Sequence, residues 1–459
     1  MSASPVEQET TAPLSFTQEF LCMFGTDETA GPFGPRYHTV RGWRVRGRLD
    51  VDVLRAALLD VVARHETLRT VIVAEGEPHQ RIHGPTAPDV RVDELGDLPA
   101  AQRHGRAEEF LNRLEGEELP VRHLPHLRVV LGRFDGEDWV VGLIAHHVAI
   151  DGWSMELLMR DLVACYPARA AGREPDLPPV PQYRKHAAWH RAHLTPAVLA
   201  EATAYWRAKL TGARMLGLPS DRPRLPDAKR VTAAHRFHVE PDLVARALSF
   251  ARTHRASAFI VTMTAQNLLA HLLTGRTDIV VPTITFGRNH PDYERTVGPF
   301  FNFVPLRTDL AGCGTLRDVF DTTRRTCLEA QSHEVPFAFV LGEAPDLMAT
   351  FGDPAVSVCA FQVFQYPATN VGRMGGLDYG EIRHRTRSHE VGSDIPDGTL
   401  ATLEVDQEAG AFGNFRYDRA EFDPATLDRW VGSFRRLLRL VVTAPDTPLD
   451  AALREARQA

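Results

Sequence analysis

One short segment carries residue types suited to proton transfer: His146-His147-Val148-Ala149-Ile150-Asp151-Gly152. A neutral imidazole has an ordinary pKa of about 6.5, so it can take or give a proton near neutrality. Activating a nucleophile toward a thioester needs one such group. Neighbouring residues on an extended strand point to opposite faces. One histidine can therefore face a core and the other an open channel. The backbone N–H groups of a helix starting after Gly152 can stabilise developing negative charge. Plainer readings stand beside this one. Asp151 sits where a helix N-cap belongs, which alone contributes about 1 kcal/mol. Gly152 can serve only as a backbone shape, and a His-His pair can be purely structural. No third ligand falls at an HExxH-type spacing, so no metal is expected.

The elements around the segment decide where these side chains point. Leu127 to Leu131 and Trp139 to Ile144 read as two strands around Asp135-Gly136, the second running into the histidines. After Gly152 the period changes: Met155, Leu158, Met159, Leu162, Val163 and Tyr166 mark an amphipathic helix. The histidines thus lie where a strand turns into a helix. Upstream, Val51, Leu54, Leu58, Leu59 and Val62 predict a helix, and Val71 to Val73 a short strand. Pro175, Pro178, Pro179 and Pro181 crowd residues 173–182, the best domain boundary. Beyond it, helical patterns cover 187–210 and 241–275, and a strand covers 278–285, ending at Phe286-Gly287-Arg288-Asn289. Further strands are expected over 356–365 and as a pair over 400–416, with a closing helix over 424–442. Helices and strands mix in both halves, which predicts an α/β (mixed α+β) fold of two lobes, residues 13–178 and 179–459.

Of 459 residues, 44% are hydrophobic and 24% charged, a globular composition that needs no metal or disulfide to hold a core. Net charge is −7 with no basic tail, which speaks against a nucleic-acid partner. Five scattered cysteines without a CxxC pair read as free thiols in a reducing compartment. The first residues show neither a basic n-region nor an apolar h-region, and no stretch reaches about 18 apolar residues. A cytoplasmic protein with no membrane partner is therefore expected.

The segment resembles the HHxxxDG signature of the condensation domains of nonribosomal peptide synthetases. Other motifs follow in that family's order. Ser15-Phe16-Thr17-Gln18 resembles its SxxQ, and Arg64-His65-Glu66-Thr67-Leu68-Arg69-Thr70 its RHExLRT. Tyr183-Arg184-Lys185-His186-Ala187-Ala188-Trp189 is similar to YxxxAxW, and Val297-Gly298-Pro299-Phe300-Phe301-Asn302 to IGxFVN. His333-Glu334-Val335-Pro336-Phe337 resembles HxxxPF with one residue fewer. The resemblance implies two chloramphenicol-acetyltransferase-like lobes in a V-shaped pseudodimer with a central channel. It implies His147 as the catalytic histidine, His146 as support, and Asp151 paired with Arg288 to hold the motif and Gly152 in shape. Asn302 would line the channel, and Gln365, late in its strand, would face it. Pro299, Phe301 and the segment 360–367 depart from the family's common form, which implies a reshaped substrate channel.

The resemblance also implies the reaction: transfer of an aminoacyl or acyl group from a carrier-protein phosphopantetheine thioester. No cofactor would be bound by the chain itself. The sequence shows no carrier segment of the GGxS type, no Gly-rich phosphate loop and no adenylation signature. The expected partners are therefore a peptidyl carrier protein in trans and a soluble small-molecule alcohol or amine. The product would be an ester or an amide, as in free-standing members of antibiotic pathways, including enediyne pathways. Three other readings fit the histidine motif: a CoA-dependent acyltransferase of the same superfamily, an epimerisation domain, and a non-catalytic carrier-binding domain. Epimerisation domains lack the counterpart of Asn302, which favours condensation.

Overall fold

The structure, a computed structural model, describes residues 10–225, 230–365 and 371–457. Its largest sheet has six strands in the order Val371–Met374, Leu377–Glu381, His38–Arg46, Asp138–His146, Leu127–Asp135 and Asp89–Glu94. The histidine strand, Asp138–His146, lies inside this sheet and is buried on both faces. Its period-2 alternation feeds two cores. Val140 and Ile144 join Phe110, Leu111 and Leu114 of helix Ala100–Glu115. Trp139, Val141, Leu143 and Ala145 join the main core with helices Val51–Arg64 and Gly152–Ala170. Gly42 and Gly142 face each other across the central pair. A Cβ on either would stand 2.4 Å or 2.6 Å from Leu111 or Leu114, so two glycines let the helix lie directly on the sheet.

A five-stranded sheet from the second half runs Gly217–Pro219, Val356–Phe364, Thr399–Asp406, Gly410–Asp418 and Thr232–Val239. Strand Asp278–Thr285 pairs with Asn302–Asp309. Helix Ala258–Thr274 is apolar nearly all round and therefore sits inside the core. Helix Pro424–Thr443 packs on it with Leu427, Trp430, Phe434 and Leu438. The fold is mixed α/β in both halves.

Several boundaries differ from the sequence expectations. The pattern over 187–210 is two helices, Tyr183–His193 and Pro196–Leu210. Thr195 caps the second by accepting from Val198 N, and Pro196 has no N–H with which to continue the first. The pattern over 241–275 likewise breaks into Pro241–Thr253 and Ala258–Thr274, at Arg255 (φ 50°) and the Ser257 cap. Strand Val356–Phe364 stops one residue before Gln365. Tyr366 and Pro367 lie outside the described residues. Sheet membership also crosses the expected boundary at residue 178. Hairpin 371–381 pairs Glu381 with Trp43 and Asp378 with Arg46, so the second half supplies two strands of the first sheet. No single helix among the described residues is long and apolar enough to cross a membrane.

Candidate active site

The strand ends at His146, and a turn over 147–149 leads to Asp151, the N-cap of helix Gly152–Ala170. His146 is fully buried. Its Nε2 lies 3.1 Å from Gly34 O and must donate, because a carbonyl only accepts; its Nδ1 accepts from Val148 N at 3.3 Å. Burial holds its pKa well below the ordinary value, and the neighbours His126 and His38 push the same way. His146 is a neutral strut.

His147 is the one residue of 141–151 that is not buried, and it lines the channel. Its Nδ1 lies 2.7 Å from Ile150 O. That contact places the ring proton on Nδ1 and leaves the Nε2 lone pair free. The ring stacks on Tyr37 at 5.0 Å and meets the edge of Phe301 at 5.2 Å, which fixes its plane. Burial lowers its pKa despite the opposing bond to Ile150, so the ring is neutral at pH 7.

Asp151 and Arg288 meet. Arg288 Nη2 lies 2.9 Å and 3.0 Å from the two carboxylate oxygens, and Nε donates to Oδ2 at 3.2 Å. Ser154 N and Ser154 Oγ donate to Oδ1 at 2.7 Å and 2.6 Å. Arg288 spends its remaining donors on Thr296 O (2.7 Å) and Tyr293 O (3.0 Å), and its guanidinium lies 4.0 Å over the Phe300 ring. One carboxylate thus caps the helix and ties it to the loop after strand Asp278–Thr285. Gly152 opens the helix and reaches the channel.

The remaining motifs buttress this centre. Ser15 and Gln18 form a capping box, and Ser15 Oγ lies 2.7 Å from Tyr183 Oη, which donates to Pro299 O at 3.0 Å. Gly298 is needed because a Cβ there would stand 2.2 Å from Tyr183 Cδ2. Thr67 Oγ1 donates to Ala149 O at 2.7 Å, holding the histidine turn, while His65 and Arg64 grip Asp161 at 2.9 Å and 2.7 Å.

Two expected channel residues show other surroundings. Asn302 is half-buried between the channel-lining Phe301 and Phe303, and both ends of its amide are engaged. Its Nδ2 donates to Val335 O (2.9 Å) and Glu334 Oε1 (3.1 Å), and its Oδ1 accepts from Phe337 N (3.1 Å). It latches the 333–337 segment. Gln365 is exposed just past its strand, and the channel-facing amide is Gln362, three residues earlier and bonded to Thr402 Oγ1 at 2.9 Å. Tyr37, Arg236, Asn414 and Arg416 line the channel and escape sequence reasoning. Tyr37 precedes strand His38–Arg46, which the hydrophobic pattern does not reveal. For Asn414 and Arg416 a signal exists, since Phe412, Asn414 and Arg416 alternate with buried residues along one strand. Among the described residues no three His, Cys, Asp or Glu side chains gather as a metal site.

A buried histidine, a second histidine on a channel with its Nδ1 against a carbonyl, and an ion-paired helix cap form a site suited to proton transfer. The condensation-domain family profile matches residues 8–457. The crystal structure of SgcC5 from Streptomyces globisporus, in complex with (R)-(-)-1-(2-naphthyl)-1,2-ethanediol and sucrose, superposes with a TM-score of 0.89. It is 42% identical, covering 95% of this chain and all of that one. A linear gramicidin synthase of Brevibacillus parabrevis is 32% identical over 97% of this chain, which spans 6% of that protein's length. Phosphinothricin tripeptide synthetase PhsC of Streptomyces viridochromogenes is 30% identical over 96% of this chain, which spans 40% of it. The X-domain from teicoplanin biosynthesis, at 24% identity and a TM-score of 0.77, shares the fold. The chain belongs to the condensation-domain family, the acyl-transferring enzymes of nonribosomal peptide and related natural-product biosynthesis.

Proposed function

We propose that this protein transfers an aminoacyl or acyl group from a carrier-protein phosphopantetheine thioester to a soluble alcohol or amine, with His147 as the base. One observation carries the reading: Ile150 O holds the proton on Nδ1, so the bare Nε2 belongs to the ring edge available to substrate. The acceptor O–H or N–H gives its proton to Nε2 as its heteroatom attacks the thioester carbonyl. The tetrahedral intermediate collapses, the C–S bond breaks, and the thiolate takes the proton back from Nε2. Atoms and charge balance without a cofactor. His146, Asp151, Gly152 and Arg288 position the ring, and Asn302 acts on the 333–337 segment rather than on substrate. The two lobes are read as 13–178 and 179–459, sharing the hairpin at 371–381. The relation to SgcC5, solved with a diol bound, supports a soluble hydroxyl acceptor. Five free cysteines suit a reducing cytoplasm.

The test offers a loaded carrier protein, and the same acyl group on CoA, to a panel of soluble amines and alcohols, with products read by mass spectrometry. Product from the carrier is expected. His147→Ala should remain folded by circular dichroism and lose turnover by about 10²–10⁴-fold. The acidic limb of kcat/KM should lie below pH 6.5, because burial lowers the His147 pKa. Full turnover by a folded His147→Ala would reject the base. Equal efficiency with CoA would reject carrier dependence.

A further inference from the structure

Inside the channel, the charged side chains of the five-stranded sheet do not balance in every row. Register aligns Gln362, Thr402, Asn414 and Arg236 across four strands. The next row holds Phe364, Glu404, Phe412 and His238. The row of Arg416 holds only Ala360, Leu400 and Ala234 beside it. No carboxylate shares that row.

The nearby acids are already engaged. Glu115 is buried and lies 2.6 Å from Arg385, 2.9 Å from Arg236 and 3.0 Å from His389. Glu404 lies 3.3 Å from Arg41. Asp151 holds Arg288. Arg416 makes no direct hydrogen bond or salt bridge among the described residues; burial disfavours its charge, Glu115 favours it from beyond ion-pair distance, and Arg385 and Arg41 repel it. Its charge is felt by His147 and by Tyr37, and all three side chains line the same channel. Two residues back on the same face, Asn414 Oδ1 is buried without a hydrogen-bond partner among the described residues. A partly buried guanidinium whose donors have no direct partner is costly, and a planar carboxylate answers its donor fork in two parallel bonds.

We propose that Arg416 is a specificity-determining residue and that one of the two substrates carries a carboxylate, which Arg416 holds in the channel shared with His147. The inference rests on the proposed channel but not on its chemistry. A carboxylate on the soluble acceptor and a second carboxylate on the acyl donor are the two sources. The unbonded Asn414 Oδ1 can accept from a hydroxyl or amine near the carboxylate. The apolar remainder of the channel, including Phe20, Phe301, Phe303 and Phe412, fits an aromatic or aliphatic body.

Calorimetric binding to the whole protein tests this with matched pairs. The acceptor arm compares mandelate with mandelamide, and phenylalanine with phenylalaninamide. The donor arm compares glutaryl-pantetheine with its terminal amide. In one arm the carboxylate should bind about 10- to 100-fold more tightly than its amide. Arg416→Gln should abolish that preference, Arg416→Lys should keep part of it, and Arg416→Glu should turn it toward a cationic partner. The Arg416→Gln protein should melt no lower than wild type, since no native bond is lost. A folded His147→Ala should keep the carboxylate preference even if it is inactive, which separates this reading from the base assignment. Equal binding within every pair in both arms would overturn the proposal. So would a preference that survives in Arg416→Gln, or a loss of stability in that variant, which marks a structural arginine.

Discussion

Replacing Asp151 by Asn separates the ion pair from the helix cap. Asn caps a helix about as well as Asp, so its Oδ1 can still accept from Ser154 N. What disappears is the negative charge facing Arg288. The two side chains are only 6% and 8% exposed, so solvent cannot replace the lost partner. Removing one member of such a pair leaves an uncompensated charge and costs about 3–5 kcal/mol. That is roughly a 100- to 5000-fold change in the folding equilibrium. The loss also reaches chemistry, because Ile150 O, the anchor of His147 Nδ1, belongs to the preceding residue. Asp151→Asn should therefore lower kcat more than it raises KM. Denaturant unfolding and steady-state turnover are measured on Asp151→Asn, Arg288→Met and the double variant. With both charges gone, the double variant should be clearly less destabilised than the sum of the singles. A single variant within about 0.5 kcal/mol of wild type and fully active would refute the reasoning, as would strict additivity.

Two further outcomes follow from the same geometry. Burial lowers the His38 and His126 pKa values to about 4, and His146 is held well below its ordinary value. These groups are neutral in both states above pH 6.5; between 6.5 and about 4 only the unfolded chain takes up their protons. Stability should thus fall across that window, by about 3 kcal/mol for each of His38 and His126, and His126→Gln should flatten the profile; a flat profile in wild type would count against neutral burial. Gly298→Ala should cost about 1–3 kcal/mol by driving a methyl into Tyr183, itself 1% exposed and tied to Ser15 and Pro299; an unchanged melting temperature would show that the ring can move aside.

Much of the centre is legible in one dimension because it is local. The strand-to-helix switch at 146–152, the capping place of Asp151 and the opposite facing of the two histidines follow from period and spacing within about twenty residues, while which histidine takes which role is what the family resemblance implies. The Asp151–Arg288 pair comes from motif order rather than from physics, since 137 residues separate the two. Helix ends at 194–196 and 254–257 are hidden because apolar periodicity continues through a break that only Pro196, Ser257 and a left-handed Arg255 mark.

By itself, then, the sequence determined the mixed α/β class, the family and a strand-to-helix turn at which two adjacent histidines must point apart. Only the tertiary structure decided which distant strands share a row. That choice tied the Asn302 amide to the 333–337 segment, put Gln362 and Tyr37 in the channel, and lent the hairpin at 371–381 to the first sheet. It also left Arg416 without a direct ion pair among the described residues. The physical reason is that a side chain's partners in a sheet are set by register between segments far apart in the chain, and no local pattern encodes that register.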